Sequence, residues 1–303
     1  MNKEPKLIGK SPPIQKLRQF IEKSAKSDAT VLLLGETGVG KEIAAKMIHC
    51  SSDRKEGPFV KINCANLSDT LIESVLFGHK KGAFTGAVFD KQGLIEEANG
   101  GTFFFDEVAD ISPNIQAKFL SVLEDKESRR LGENKTRKID VRFILATNKD
   151  LFKLVEKGKF REDLYYRIGV LSFQISPLRD RKDDLPLLID FIVERNCQSQ
   201  SESLRVSQEV YGKLLAHSFP GNVRELENIL ERAIVFSDNF VIEEKNIMFS
   251  RITNRTKVKY RSRYSFEKIL DTIIKHRGNK TKAAKELGIS RVHLYRLLDE
   301  LKK

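Results

Sequence analysis

Residues 30–42 read Thr-Val-Leu-Leu-Leu-Gly-Glu-Thr-Gly-Val-Gly-Lys-Glu, and this stretch decides the fold. The apolar run Thr30–Leu34 is short and stops at a glycine, as a buried strand does, and a helical pattern follows Lys41. Glycines let backbone N–H groups wrap phosphates, and the next helix presents its positive end to them. The predicted phosphate loop comprises Gly35, Glu36, Thr37, Gly38, Val39, Gly40, Lys41 and Glu42.

Two carboxylates end another apolar run, Thr102–Phe105. A strand end would place Asp106 and Glu107 at the sheet edge where ligands bind. Asp106 suits the coordination shell of Mg²⁺, and Glu107 suits orienting or deprotonating a water molecule. The alternative is a capping pair at a strand–helix junction, which the upstream phosphate loop disfavours. Because Glu42 stands where the general pattern has a Ser or Thr magnesium ligand, the metal would depend more on other groups.

The remaining apolar runs indicate the fold class. They are Phe59–Ile62, Val141–Leu145 and Val170–Ile175. Short continuous apolar strands that alternate with helix-like stretches are typical of an α/β parallel sheet covered on both faces. After Pro177 the strand pattern stops, and residues 183–196, 207–218 and 222–236 have helical patterns. We therefore predict an α/β subdomain (1–176), a small all-α subdomain (177–243), a linker (244–263) and further helices (264–303).

Composition bounds the partners and the compartment. The 303-residue chain has a net charge of +12, and residues 251–303 alone carry 16 Lys and Arg against 5 Asp and Glu. A basic tail on a near-neutral body suggests a polyanion partner, although a solubilising tail is the alternative. No apolar run approaches the roughly 20 residues of a membrane span. Three widely spaced cysteines fit neither a zinc site nor a disulfide framework, which favours the cytoplasm.

The C-terminal residues read as helix, tight turn, helix. Residues 279–286 and 290–301 flank the turn at 287–289. Their apolar seam comprises Ala283, Ala284, Leu287, Ile289, Leu294, Leu297 and Leu298. Ser290 would cap the second helix, and Arg291, His293, Tyr295 and Arg296 lie outside the main seam, where they would reach a major groove. The alternative is a basic helical hairpin that serves oligomerisation.

The hexapeptide Gly82–Ala87 has no part in the nucleotide chemistry. Two glycines and two alanines surround one aromatic and one hydroxyl side chain, Phe84 and Thr85. This composition predicts a flexible loop that reaches the surface. A buried Phe84 is the alternative, and the flanking glycines disfavour it.

Taken together, these motifs resemble the bacterial enhancer-binding proteins, which are AAA+ activators of sigma-54 RNA polymerase. The motifs are Gly35–Glu42, Phe59–Ala65, Gly82–Ala87, Gly100–Glu107, Phe160–Arg167 and Phe219–Asn228. In that order they resemble the family's Walker A, asparagine switch, sigma-54-binding loop, Walker B, arginine-finger and sensor II segments. The C-terminal helices resemble the factor-for-inversion-stimulation type of helix-turn-helix. Phe219 replaces the family's usual Trp, and His293 its usual Thr.

The resemblance implies a role for each matching residue around ATP. Lys41 would bind phosphate, Asp106 would hold Mg²⁺, and Glu107 would activate the water molecule. Asn63 would couple the position of Glu107 to the nucleotide state, although a residue that closes a strand end is the local alternative. The all-α subdomain would be the AAA+ lid.

Further residues would sense or complete the site. Thr147 and Asn148 would be sensor I, although a loop turn explains them equally well from the sequence. Arg224 would be sensor II, with a pair to Glu227 on the same helix as the alternative. Arg161 and Arg167 would be arginine fingers that enter the site of the neighbouring subunit. The alternative is that they form ion pairs with Glu162 or Asp163 of the same chain.

The resemblance also implies partners. Gly82, Ala83, Phe84, Thr85, Gly86 and Ala87 would form the loop that contacts sigma-54. Arg129 and Arg130 would belong to a second insertion that faces the pore of a homo-oligomeric ring, from dimer to hexamer. Enhancer DNA would bind the tail. Family members commonly carry an N-terminal receiver or sensor domain, so control by a regulatory protein in trans and a trimmed regulatory domain both stay open.

The expected function is therefore ATP hydrolysis that converts closed promoter complexes of sigma-54 polymerase to open ones. Two rivals remain: a DNA-binding regulator with a vestigial ATPase, and an AAA+ remodeller of a different client. The intact Lys41, Asp106 and Glu107 argue against the first rival, and the hexapeptide argues against both.

Overall fold

The computed structural model describes residues 5–64, 68–197, 204–237, 241–249, 272, 275–276, 279–287 and 294. The chain divides into two compact units, residues 1–248 and residues 249–303. Among the helices of these described residues, none combines the length and apolar composition needed to cross a bilayer.

The first unit contains eleven described strands and ten described α-helices. The strands are β1 (Val31–Leu34), β2 (Phe59–Asn63), β3 (Gly78–His79), β4 (Lys91–Gln92), β5 (Thr102–Asp106), β6 (Glu127–Arg129), β7 (Thr136–Lys138), β8 (Arg142–Thr147), β9 (Leu171–Gln174), β10 (Arg205–Val206) and β11 (Val241–Ile242). The helices are α1 (Pro12–Ala25), α2 (Lys41–Cys50), α3 (Asp69–Phe77), α4 (Leu94–Glu97), α5 (Pro113–Asp125), α6 (Leu151–Glu156), α7 (Glu162–Ile168), α8 (Leu185–Cys197), α9 (Gln208–Ala216) and α10 (Asn222–Val235).

The five apolar runs predicted as strands form one parallel sheet, which confirms the α/β prediction. The strand order is β2-β5-β8-β1-β9. Asn63 lies opposite Asp106 in the β2–β5 register, and Leu34 lies opposite Thr147 in the β1–β8 register. Because all five strands run in the same direction, the polar residues that follow them meet at one edge of the sheet.

Successive side chains along each strand point to opposite faces of the sheet, and apolar residues cover both faces. In β5, Phe104 belongs to the core on one face, together with residues of α1 and α2 such as Ile14 and Ile48. Phe103 and Phe105 belong to the core on the opposite face. There the ring of Phe105 meets the ring of Phe119 edge-on, with centroids 5.3 Å apart. Burying each of these side chains contributes roughly 2–3 kcal/mol to folding.

The region after Pro177 is helical, and helices α8, α9 and α10 confirm the three predicted helices. One local difference is the parallel pair β10–β11, which is only two residues long on each side. Strands this short leave no hydrophobic period in the sequence. The first unit extends past residue 243 through a 3₁₀ turn at Glu244–Asn246, where Asn246 and Ile247 are buried.

Two small antiparallel hairpins, β3–β4 and β6–β7, project from the main sheet's connections. Lys80 N donates to Leu131 O at 2.9 Å, and Leu131 N donates to Gly78 O at 3.0 Å. These backbone bonds join the start of the β3–β4 hairpin to the loop that connects β6 and β7. The sequence did not predict the hairpins because their strands are two or three residues long.

In the second unit, the described helix is α11 (Lys280–Glu286). Ala283, Ala284, Leu287 and Leu294 are buried, which confirms these members of the predicted apolar seam. The remaining seam residues and most of the predicted linker lie outside the described residues. So do all five predicted DNA-contacting residues, Ser290, Arg291, His293, Tyr295 and Arg296.

Candidate nucleotide site

The loop between β1 and α2 has the backbone that its glycines permit. Gly35, Gly38 and Gly40 have φ values of 152°, 81° and 107°, which side chains other than glycine rarely adopt. A Cβ atom at Gly38 would lie 2.3 Å from the carbonyl oxygen of Gly221. Glycine at position 38 therefore allows the loop to touch the start of helix α10.

Lys41 begins helix α2 and lies between this loop and Glu107. Its side chain is 7% exposed, and Nζ donates to Gly35 O at 2.8 Å and to Glu36 O at 3.4 Å. The same Nζ is 3.6 Å from Glu107 Oε1. The ammonium group thus stands where the phosphate loop and the carboxyl edge of the sheet converge.

Asp106 and Glu107 occupy the end of β5, as the sequence predicted. Asn63 Nδ2 donates to Asp106 Oδ2 at 3.1 Å. Burial raises the pKa of Asp106, and the charge of Glu107 raises it further, against the opposing effect of Lys41. Asn63 therefore contacts Asp106. The sequence had predicted that Asn63 is coupled to Glu107, which is the next residue along the chain.

Glu107 is held by the end of strand β8. Its backbone is left-handed, with φ of 56° and ψ of 50°. Oε2 accepts hydrogen bonds from Asn148 N at 3.0 Å and from Thr147 Oγ1 at 3.5 Å. Asn148 Nδ2 in turn donates to Thr37 Oγ1 of the phosphate loop at 3.0 Å. Both residues predicted as sensor I therefore contact Glu107, and Asn148 also connects it to the phosphate loop.

These groups border a cleft of about 590 Å³. Its polar lining includes Thr37, Gly38, Lys41, Glu42, Asn63, Asp106, Glu107, Asn148, Arg181 and Arg224. Its apolar lining includes Leu7, Ile8, Leu188, Phe191 and Ile192. A cleft lined by both charged groups and apolar side chains fits a nucleotide, whose polyphosphate and base have these two characters. The sequence reading missed the apolar wall, because its parts come from the N-terminal segment and from α8.

Asp106 is the carboxylate that fits a Mg²⁺ ion in this cleft. Glu42 is turned to other partners, with Oε1 accepting from Lys46 at 2.8 Å and from Lys61 at 2.9 Å. Burial raises the pKa of Glu42, but these two hydrogen bonds outweigh it and the net direction is downward. Within the described ranges no group of three or more His, Cys, Asp and Glu side chains converges. Mg²⁺ commonly binds through one or two carboxylates, substrate phosphates and water, which this arrangement satisfies.

The lid contributes Arg224 to the cleft lining, at the N-terminal turn of α10. The described ion pair of Glu227 is with Arg195, at 3.1 Å, rather than the Arg224 pair considered from the sequence. Two further residues contact the phosphate loop and had no signal in the sequence. Asn222 and Arg179 both bind the Glu36 carboxylate, from 186 and 143 residues away.

The two arginines predicted as fingers lie elsewhere. Neither Arg161 nor Arg167 lines the cleft. Arg161 Nη2 lies 2.7 Å from Asp163 Oδ2, and both side chains are nearly half exposed. Arg167 Nη2 donates to Leu123 O at 3.1 Å. The structure therefore has the intrachain pair with Asp163 that the sequence left as the alternative, and an exposed pair of this kind is readily exchanged.

The hexapeptide occupies the connection between β3 and β4. Gly82 N donates to Ala87 O at 2.9 Å, and Ala87 N donates to Phe84 O at 3.0 Å, so the loop closes on itself. Thr85 and Gly86 are exposed, whereas Phe84 is half-buried. The Phe84 ring meets the buried His79 ring edge-on, with centroids 5.0 Å apart.

The second hairpin supports this loop. Gly132 leaves room for Ala83, because a Cβ atom at Gly132 would lie 2.8 Å from the Ala83 Cβ. Arg130 forms a bidentate ion pair with Glu96, in which Nη2 donates to Oε2 at 2.7 Å and Nε donates to Oε1 at 3.0 Å. Backbone hydrogen bonds and the close approach of Gly132 to Ala83 therefore join the two hairpins, and the Arg130–Glu96 pair attaches the second hairpin to helix α4.

Comparison with known proteins places three family profiles on the chain. The profile described as "Sigma-54 interaction domain" matches residues 7–174, "AAA+ ATPase lid domain" matches 179–262, and "Bacterial regulatory protein, Fis family" matches 265–301. The Nif-specific regulatory protein of Azotobacter vinelandii is 46% identical over 250 residues, which cover 82% of this chain and 48% of that protein.

Two other similarities cover nearly the whole chain. The transcriptional regulatory protein ZraR of Salmonella typhimurium is 41% identical over 292 residues, which cover 94% of this chain and 66% of ZraR. The crystal structure of NtrX from Brucella abortus in complex with ATP has a TM-score of 0.75 at 31% identity, and covers 98% of this chain and 70% of NtrX. The chain thus spans from about half to two thirds of the length of these curated relatives.

Proposed function

Because the chain belongs to the sigma-54 interaction domain family of AAA+ ATPases, with an AAA+ lid and a Fis-type DNA-binding domain, we propose that it is a sigma-54-dependent transcriptional activator. Hydrolysis of ATP in a homo-oligomeric ring, a hexamer when complete, remodels the closed complex of sigma-54 RNA polymerase into the open complex. The helix-turn-helix binds enhancer DNA. The proposed site of action is the cytoplasm.

The proposed domain boundaries are those predicted from the sequence. Residues 1–176 form the α/β subdomain, 177–243 the lid, 244–263 the linker and 264–303 the helix-turn-helix. The division into compact units after residue 248 supports a separate C-terminal domain, and the buried Asn246 and Ile247 assign residues 244–248 to the lid side of the predicted linker.

ATP is the proposed nucleotide, and its binding to the similar NtrX structure supports this assignment. Lys41 and the phosphate loop hold the polyphosphate, and Arg224 approaches it from the lid. Asp106 would hold Mg²⁺, which would supply positive charge to the phosphate groups. Glu107 takes a proton from the attacking water molecule, and Asn63, Thr147 and Asn148 fix the geometry of this edge. The distances among Lys41, Glu107, Asn63, Thr147 and Asn148 support these assignments.

Arg161 and Arg167 act on a neighbouring copy in this proposal. Their separation from the cleft of their own chain supports a role in trans, since neither lines it. An arginine that enters from the next subunit stabilises charge on the transferring phosphoryl group. Hydrolysis would then require assembly.

One observation carries the proposal: a nucleotide cleft and the exposed Thr85 of the hexapeptide occur on the same compact unit. In this proposal Thr85 contacts sigma-54 together with Phe84 and the small residues of the loop, and its exposure and its position outside the cleft lining support that role. Thr85→Ala should therefore preserve ATP hydrolysis and abolish open-complex formation. A regulatory protein acting in trans is compatible with this scheme.

The test is an in-vitro transcription assay from a sigma-54 promoter, run beside a phosphate-release assay. Thr70→Ala is the matched control, since Thr70 is an exposed threonine of α3 outside the loop. Pull-down of sigma-54 with ADP–aluminium fluoride separates the rivals. Full activation by the Thr85→Ala variant would contradict the loop assignment. ATP turnover by the wild-type chain with no capture of sigma-54 would favour a different client.

A further inference from the structure

Asn222 is the first residue of lid helix α10 and is completely buried. Its backbone is left-handed, with φ of 54°, a conformation that Asn tolerates better than most side chains. The preceding Gly221 N donates to Glu225 Oε2 at 2.8 Å, which caps the start of the helix. A buried amide in this conformation has a fixed direction, and here it points to the phosphate loop.

All the polar atoms of the Asn222 side chain have partners on other segments. Nδ2 donates to Glu36 Oε2 and to Thr37 O, both at 3.1 Å. Oδ1 accepts from Leu178 N at 2.8 Å. One amide thus joins the phosphate loop, the connection into the lid, and α10. Because both donors and the acceptor are engaged, the amide orientation is determined by its surroundings.

Neighbouring contacts reinforce this junction. Val223 N donates to Gly38 O at 3.0 Å, beside the close approach of Gly38 to Gly221. Arg179 holds Glu36 with two hydrogen bonds, at 2.7 Å and 2.8 Å, and this interaction lowers the pKa of the Glu36 carboxyl. The phosphate loop is therefore attached to the lid through both its backbone and the Glu36 side chain.

The same loop is attached to the catalytic edge on its other side. Asn148 bridges Glu107 Oε2 and Thr37 Oγ1, at 3.0 Å each. Thr37 O is the acceptor for Asn222. A hydrogen-bonded route therefore runs from Glu107 through Asn148 and Thr37 to Asn222, and Arg224 follows two residues later on α10.

We propose that Asn222 is a positioning residue that fixes the lid, and with it Arg224, to the phosphate loop. The phosphate loop and the lid then stay at a constant distance from each other around the polyphosphate of a nucleoside di- or triphosphate. This inference rests on the proposed nucleotide binding. It assigns the nucleotide affinity of the chain in part to a side chain that lies outside the cleft lining.

The test compares Asn222→Gly with Tyr211→Phe in the full chain. Glycine adopts positive φ without strain, so Asn222→Gly removes the three side-chain bonds while keeping the backbone. Tyr211 donates to Asp190 at 2.7 Å within the lid, so Tyr211→Phe removes a lid hydrogen bond far from the phosphate loop. The dissociation constant for ADP and the ADP-induced rise in the unfolding midpoint are measured for each variant.

We expect Asn222→Gly to raise the dissociation constant for ADP about tenfold or more and to reduce the ADP-induced rise in the midpoint. Tyr211→Phe should leave both at the wild-type values. A purely structural role would lower the ligand-free midpoint and leave the dissociation constant unchanged, and that result would overturn the inference. Failure of the wild-type chain to bind ADP would instead overturn the proposed function.

A second variant covers the case in which Asn222→Gly does not fold. Glu36→Ala removes the carboxylate partner of Asn222 and Arg179, and the Glu36 side chain is 42% exposed, so the core is preserved. We expect its dissociation constant for ADP to rise about threefold or more. An unchanged constant in a folded Glu36→Ala chain would contradict the proposal.

Discussion

The phosphate loop and the segment that begins with Arg161 are held in opposite ways, although both are proposed to serve one reaction. Lys41 is 7% exposed and is bonded to two carbonyl groups of its own loop. The loop is further bonded to Asn148 on one side and to Asn222 on the other. Arg161, by contrast, is 45% exposed and pairs with Asp163 two residues away.

Under the proposed function, this difference separates groups that would act within their own chain from groups that would act on another. Folding arranges the phosphate loop in advance, so little reorganisation is needed when phosphate charge develops. An arginine that enters a neighbouring cleft has to exchange its resting partner for a phosphate. An exposed ion pair, which contributes little and is screened by salt, permits that exchange.

Removing the arginine should have the largest effect. Arg161→Ala is expected to lower hydrolysis about 10³-fold, since a finger arginine stabilises the transition state. The affinity for ADP should stay at the wild-type value because Arg161 is outside the cleft. Phosphate release and ADP titration measure the two quantities.

Mixing variants decides whether Arg161 acts in trans. Lys41→Ala chains retain Arg161, and Arg161→Ala chains retain Lys41, so mixed rings would contain complete sites between unlike neighbours. Hydrolysis by the mixture above that of either variant alone is the expected result. An inactive mixture that still assembles would place Arg161 in its own chain's chemistry and remove the contrast drawn above.

Glu107→Gln tests the phosphate-loop side of the site, which folding arranges before the nucleotide binds. The substitution keeps the shape of the side chain and removes the group proposed as base, so hydrolysis should fall by about 10²-fold or more. ADP affinity should change little because Lys41 retains its loop contacts. Asp110→Asn is the control, since Asp110 is a neighbouring carboxylate that pairs with Lys149. Loss of hydrolysis in both variants to the same extent would argue against a special role for Glu107.

The pH dependence of Mg²⁺ binding tests how the surroundings of Asp106 affect its proposed role as the metal ligand. Burial, followed by the charge of Glu107, raises the pKa of Asp106. Mg²⁺ requires the carboxylate form, so its affinity should decline at a higher pH than for an ordinary aspartate, by about tenfold per pH unit below that pKa. Glu107→Gln removes the like charge and should shift this decline to lower pH. Mg²⁺ titrations of nucleotide binding across a pH series measure it, and an identical profile in both chains would contradict the assigned cause.

Asp163→Asn should have the smallest effect. It removes the charge and one of the two acceptor oxygens of the resting partner of Arg161, whose hydrogen bonds lower the pKa of Asp163. The pair is exposed, so the unfolding midpoint should move by a few degrees at most, and hydrolysis should change by less than about fivefold. Thermal unfolding and phosphate release check both expectations. A large loss of stability would mean that the Arg161 segment is held as firmly as the phosphate loop.

Local patterns carried much of the fold and part of the site. The runs that became β1, β2, β5, β8 and β9 are short, apolar and bounded by polar residues, and all five joined one sheet. The phosphate loop was recognisable because its glycines, lysine and flanking elements are contiguous. The hairpins β3–β4 and β6–β7 were missed, since their strands are only two or three residues long and leave no hydrophobic period in the sequence.

Thus the sequence by itself determined the sheet-forming runs, the glycines that make the phosphate loop possible, and which carboxylates stand at the end of β5. These features follow from hydrophobic period and backbone freedom, which are local. Tertiary structure alone decided that Asn222 binds Glu36, that Glu42 accepts a hydrogen bond from Lys61, and that Arg161 lies outside its own cleft. Such partners are chosen by packing between segments distant along the chain, and no pattern of neighbouring residues encodes that choice.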